Sequence, residues 1–117
     1  MKLTLFTTFK PFEGHVKIIQ TNAIKSWLLL DPKPEIIIFG NSRGSKEIAE
    51  EFNLRHIPDV QCSPSGAPYA NIIFDMVENL STNPLMAYLN GDIILNNTFI
   101  FAIQQIYKKL SKFLMVG

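Results

Sequence analysis

The sequence predicts an α/β protein: a mostly parallel sheet of about five strands with helices on both faces. Three observations predict it. Apolar segments of strand length alternate with helix-length spacers along the whole chain. The run Glu35-Ile36-Ile37-Ile38-Phe39 is continuously apolar after its first residue, the pattern of a strand buried on both faces. The spacers carry apolar residues at helical periodicity, as crossover helices require.

Each element has its own signal. Residues 3–9 are rich in β-branched and aromatic side chains and read as the first strand. Pro11 stops it and biases Lys10 towards an extended form. Residues 16–30 read as a helix, with Val16, Ile19, Ala23, Trp27 and Leu30 on one face. Lys17, Thr21 and Lys25 form the polar stripe opposite. Pro32 and Pro34 close it. After the Ile-rich strand comes the loop Gly40-Asn41-Ser42-Arg43-Gly44, then a short helix over Ser45–Phe52 with carboxylates suited to its dipole. Residues 54–57 read as a brief strand, and residues 59–66 as a loop. Pro68 suits the first turn of a third helix, with Ala70, Ile73, Val77 and Leu80 buried. Residues 85–95 contain a fourth strand. Asn96 or Asn97 caps a last helix whose inner face is Phe99, Ile103, Ile106 and Leu110. Phe113–Val116 reads as a final strand.

The composition bounds the function. The chain of 117 residues suits one domain over residues 1–117, and 47 % hydrophobic with 18 % charged residues marks it as globular. A net charge of +1 gives no basic field for nucleic acid. No apolar run approaches the ~18 residues that span a bilayer, and the apolar start is too short for a signal peptide. The single cysteine, Cys62, rules out an internal disulfide and suits a reducing, cytoplasmic setting.

The stretch Leu-Met-Ala-Tyr-Leu-Asn-Gly-Asp-Ile-Ile-Leu at residues 85–95 is where chemistry is expected first. Asn90 and Asp92 interrupt an otherwise apolar run. Asn-Gly between apolar runs is also a strong signal for a β-hairpin. The alternative is a metal site. In an extended segment residues i and i+2 point to the same side, so Asn90 and Asp92 would converge on one ligand. A single carboxylate holds Mg²⁺ or Mn²⁺ when a substrate diphosphate supplies further hard oxygens. The alternating order weakens the hairpin reading, because each earlier strand is followed by a helix. Other motifs are excluded. Residues 40–46 have neither the P-loop order nor Gly-x-Gly-x-x-Gly, and no zinc-type spacing of His and Cys occurs.

Thr7-Thr8-Phe9, Phe39-Gly40-Asn41-Ser42, Gly66-Ala67-Pro68-Tyr69-Ala70-Asn71 and Tyr88-Leu89-Asn90-Gly91-Asp92 together resemble the layout of GT-A glycosyltransferases of the family 2 type. The stretch Phe9–His15, with Gln20, Asn22, Ala23, Ser26 and Trp27, is similar to a bacterial glycosyltransferase-like subgroup. The resemblance covers the N-terminal, nucleotide-binding half of such an enzyme. It implies a nucleotide-diphospho-sugar donor and a divalent cation, Mg²⁺ or Mn²⁺. Thr7, Thr8 and Phe9 would line the base and ribose pocket, and Asn41 or Ser42 would meet the base. Gly66 and Asn71 would lie near the ribose and diphosphate. Asn90-Gly91-Asp92 would stand for the Asp-x-Asp motif, with Asp92 on the metal and Asn90 on the ribose or a metal-bound water. The family draws its acceptor site and catalytic base from the later half, so no catalytic residue is assigned.

Two other readings follow from the same residues. Asn90 in place of an acid fits a non-catalytic remnant or subunit that keeps the fold for partner binding. An unrelated flavodoxin-like domain would make Asp92 an ordinary strand-end acid. The apolar strand Phe113–Val116 at a sheet edge also leads us to expect self-association through that edge.

Overall fold

Six residues dominated by β-branched and aromatic side chains, Leu3–Thr8, form the central strand β1. The computed structural model describes residues 3–31, 33–60, 64, 70–80, 85–106 and 113–116. After β1 come α1 (Gly14–Leu28), β2 (Glu35–Phe39), α2 (Ser45–Phe52) and β3 (Arg55–Ile57). Then follow α3 (Ala70–Leu80), β4 (Leu85–Leu89), α4 (Asn97–Ile106) and β5 (Phe113–Val116). The strands line up in the order β3-β2-β1-β4-β5, and every pairing is parallel. Gly66 and the expected start of the third helix at Pro68 lie outside the described residues. So do the side chains of Phe113–Val116, on which the expected self-association rests.

Parallel strands bury both faces, and each face has its own core. On the first, Leu3, Leu5, Ile36, Ile38, Leu85, Ala87 and Leu89 pack with Ala23, Ile24 and Trp27 of α1. Ile48 and Ala49 of α2 and Ile100 and Ile103 of α4 complete that cluster. On the second face, Phe6, Ile37, Phe39 and Met86 meet Ile73 and Val77 of α3. Phe6 sits edge-on to Phe39, Phe74 and Tyr88, with ring centroids 5.2–6.3 Å apart. Among the described residues no helix is long and apolar enough to cross a membrane.

The faces fix the hand of the connections. The steps β1 to β2 and β2 to β3 run one way across the sheet with α1 and α2 on the first face. The step β3 to β4 runs back with α3 on the second face. These three connections share one hand, as the strong preference for right-handed crossovers demands. The step β4 to β5 keeps the direction of β3 to β4, yet α4 lies on the first face. Its hand is therefore the opposite one.

The inner face of α1 differs from the sequence expectation. Gln20, Ala23, Ile24 and Trp27 are buried, whereas Ile19 is 38 % exposed. At ~100° per residue the helix is turned by roughly 50° from the expected face. The cause is Gln20. Its Oε1 accepts the Lys10 N–H and its Nε2 donates to the Lys10 carbonyl, both at 2.9 Å. A buried amide must satisfy both ends, and the peptide of Lys10 does so.

That contact is one of several that hold the chain leaving β1. Ser42 Oγ donates to the Phe9 carbonyl at 2.6 Å, and the Phe12 N–H donates to the Arg43 carbonyl at 2.7 Å. Gly44, at φ +89°, lies so close to Phe12 that a Cβ there would stand 2.7 Å from Phe12 Cβ. A Cβ on Gly91 would stand 2.5 Å from Phe9 Cδ1. Phe9 in turn stacks on Trp27 at 6.1 Å and meets Phe12 edge-on at 5.0 Å.

Two stability tests follow. Gln20→Leu leaves both polar groups of the Lys10 peptide without their protein partner and is expected to cost about 1–3 kcal/mol in urea unfolding. Parental stability in that variant would contradict the role given to Gln20. Gly91→Ala is expected to lower stability by about 1–3 kcal/mol through overpacking against Phe9. Phe9→Leu should restore part of that loss in the double variant, whereas additive losses would show that the two residues do not interact.

Candidate functional site

In open α/β sheets ligands bind outside the carboxyl ends of the strands, where the strand order reverses. Here the reversal falls between β1 and β4, because β1 leads outward to β2 and the chain returns from β3 to β4. Thr8, the Asn41-Ser42 pair and the Asn90–Asp92 turn all follow or end strands β1, β2 and β4 at that edge.

Phe9 ties these segments together. Ser42 holds its carbonyl from the β2 side, and Gly91 lies over its ring from the β4 side. A Cβ on Gly91 would also stand 3.3 Å from the Thr8 carbonyl oxygen. Thr8, Ser42 and the Asn90–Asp92 turn are thus gathered around the end of β1. Asn71 is exposed in the first turn of α3.

The side chains at this edge divide into committed and available groups. Thr7 is buried, and its hydroxyl donates to the Leu89 carbonyl at 2.5 Å, locking β1 to β4. The Phe9 ring is buried in the first core. The Ser42 hydroxyl is held by Phe9, and His56 Nε2 lies 2.7 Å from the Gly40 carbonyl. Thr8 Oγ1 and the Tyr88 hydroxyl are only loosely paired at 3.4 Å. Asn41, Asn90 and Asp92 are exposed.

The geometry of Asn90–Asp92 corrects the extended arrangement expected from spacing. Strand β4 stops at Leu89, and the Ile93 N–H donates to the Asn90 carbonyl at 3.3 Å, closing a turn. The turn is forced by position: the backbone has to pass over Phe9, and only a residue without Cβ passes that closely. Gly91 is therefore needed for space, and its φ is not in the left-handed region. No hairpin follows, since the chain enters α4 and β5 runs parallel to β4.

A cleft of about 570 Å³ opens beside this edge, between α1 and α2. Asn41, Ser42, Lys17, Arg43, Lys46 and Glu47 contribute to its walls. Asn41 and Ser42 thus line this cleft, whereas Asn90 and Asp92 do not. Arg43 is engaged with Glu13 at 2.6 Å.

Among the described residues no group of three or more His, Cys, Asp and Glu side chains could hold a metal by itself. Asp92 offers one carboxylate and Asn90 one amide oxygen, both hard donors on an exposed turn. Such a set fits a divalent cation that shares its other sites with a phosphorylated ligand. Sequence reasoning missed Gln20 and the spacing role of Gly91. A glutamine at a buried helical position after an X-Pro loop was the available signal for the first. No protein family, curated protein or solved structure matches the chain.

Proposed function

We propose that the chain binds a nucleotide-diphospho-sugar with Mg²⁺ or Mn²⁺ at the carboxyl edge of its sheet. The observation that supports this most is the gathering of Thr8, Ser42, Asn90 and Asp92 around the end of β1, beside the reversal of strand order.

In this reading Asp92 holds the cation, and Asn90 hydrogen-bonds the ribose or a cation-bound water. A divalent cation held by Asp92 would offset diphosphate charge and supply Lewis acidity towards the departing nucleotide diphosphate. Thr8 offers its hydroxyl from β1, and Asn41 meets the base with its amide. Thr7 and Phe9 shape the floor from within, since their side chains are buried. Gly66 and Asn71 stay assigned to the ribose and diphosphate side by resemblance alone. The proposal concerns donor binding and leaves transfer to an acceptor aside. A cytoplasmic setting accords with one cysteine and no disulfide partner in the chain.

Calorimetric titration tests the reading. UDP or GDP is expected to bind with Mn²⁺ present and much more weakly in its absence. Asp92→Ala should weaken the Mn²⁺-dependent binding by tenfold or more, because the carboxylate assigned to the cation is gone. Absence of any nucleotide binding up to millimolar concentration would rule the proposal out. Binding that is indifferent to Mn²⁺ and to Asp92→Ala would remove the metal from it.

A further inference from the structure

Asparagine is among the chemically labile side chains. Its amide carbon lies within reach of the backbone nitrogen of the next residue, and the two can close a small ring. A side chain on that next residue crowds the approach, and glycine removes the crowding. Asparagine is followed by glycine once in this chain, at Asn90-Gly91. Every other asparagine precedes a residue that carries a side chain.

The fold leaves this pair open. Strand β4 ends at Leu89, so residues 90 and 91 lie beyond the strand. Asn90 is exposed, and its side-chain amide has no hydrogen-bond partner among the described residues. Asn96 and Asn97 differ. Asn96 Oδ1 accepts the Thr98 N–H at 2.9 Å, and Asn97 Oδ1 accepts the Asp31 N–H at 3.1 Å. The turn at Asn90 is closed through its backbone carbonyl, which accepts the Ile93 N–H at 3.3 Å, and the side chain takes no part. Gly91 cannot be exchanged freely, because a Cβ there would stand 2.5 Å from Phe9 Cδ1. Packing on Phe9 thus demands the one residue that opens Asn90 to attack.

We infer that Asn90 is a self-modification site, at which the folded chain deamidates and the turn gains a second carboxylate near Asp92. The Gly91 nitrogen attacks Asn90 Cγ. The new N–Cγ bond closes a succinimide, the Cγ–Nδ2 bond breaks, and ammonia leaves with the proton that the Gly91 nitrogen gives up. Water then adds to one of the two imide carbonyls and reopens the ring. Opening on one side leaves an aspartate at position 90. Opening on the other leaves an isoaspartate, whose main chain is longer by a methylene. No oxidant or reductant enters. The new charge costs little, because the position faces water. The lengthened main chain fits poorly where the backbone is pressed onto Phe9, so the isoaspartate form is the less stable product.

The consequence for ligands rests on the donor reading above. A carboxylate is a charged donor where the amide oxygen is neutral, and affinity for a hard divalent cation rises with the number of charged ligands. Deamidation therefore strengthens cation binding at this turn as the protein ages.

Mass spectrometry of the full chain, incubated folded at neutral and at mildly alkaline pH, tests this. The protein is expected to gain about 1 Da, located at position 90 by peptide fragmentation. The gain should be faster at the alkaline pH, where the Gly91 nitrogen loses its proton more readily. Its rate should lie within about tenfold of that in the urea-unfolded chain, because the turn is already exposed. Asn90→Gln, whose longer side chain closes the ring far more slowly, should abolish it. An amide that survives in the folded chain while the unfolded chain loses it overturns the inference. A gain spread evenly over the other asparagines does so too. For the consequence, Mn²⁺ alone is titrated into Asn90→Asp and is expected to bind about tenfold more tightly than to the parent. Equal affinity overturns the link to the cation. The mass measurement uses neither nucleotide nor metal, so this inference and the donor reading fail separately.

Discussion

The indole N–H of Trp27 sits in a fully buried side chain and has to find an acceptor inside the protein. It finds the carbonyl of Ile93, sixty-six residues away, at 2.7 Å. Much of the structure follows from that bond. To reach Trp27, the chain leaving β4 must turn onto the face that already carries α1. It then crosses Phe9, whose ring lies on Trp27 with an interplanar angle of 17°. The crossing is so close that residue 91 has no room for a side chain. One satisfied donor thus accounts for the turn at Asn90, the glycine within it and the outward position of Asp92.

The same bond explains the unusual hand of the last connection. A right-handed step from β4 to β5 would have carried α4 over the second face, beside α3. Instead Trp27 and Ser26 hold residues 93–95 on the first face, and Asn97 Oδ1 accepts the Asp31 N–H at 3.1 Å. Three polar contacts with the end of α1 draw the start of α4 to that side. Ile100 and Ile103 then complete a core to which α1 and α2 already contribute. A general preference, strong as it is, yields here to specific polar contacts that would otherwise be lost.

Much of the fold was legible because it depends on short-range patterns. The Ile run of β2, the helix over Ser45–Phe52 and the Ile73–Val77 face of α3 each declare themselves within a dozen residues. What the sequence concealed depends on contacts between distant segments. The rotation of α1 needs the pairing of Gln20 with the Lys10 peptide, and hydrophobic periodicity alone counts Gln20 as polar and turns it outward. The turn at Asn90 carried a hairpin signal, yet the reason for its glycine lies eighty-two residues earlier, in Phe9. The site was legible as a set of residue types, whereas its division into committed and available groups was not.

That division decides what the edge of the sheet can recognise. Thr7, Ser42 and Gln20 spend their polar atoms on backbone groups of neighbouring segments, so they set the shape of the edge and offer nothing further to a ligand. Thr8 and Tyr88 share one long hydrogen bond that a better partner could replace. Asn41, Asn90 and Asp92 project neutral oxygens and nitrogens and a single negative charge into water. A carboxylate so exposed repels a bare diphosphate and attracts a cation only weakly. In the proposed site the two would become compatible, because the charge of a divalent cation would offset that of Asp92 and of the diphosphate together. The proposed donor site would therefore depend on a ligand that brings its own metal, held over a backbone that Trp27 and Phe9 keep fixed.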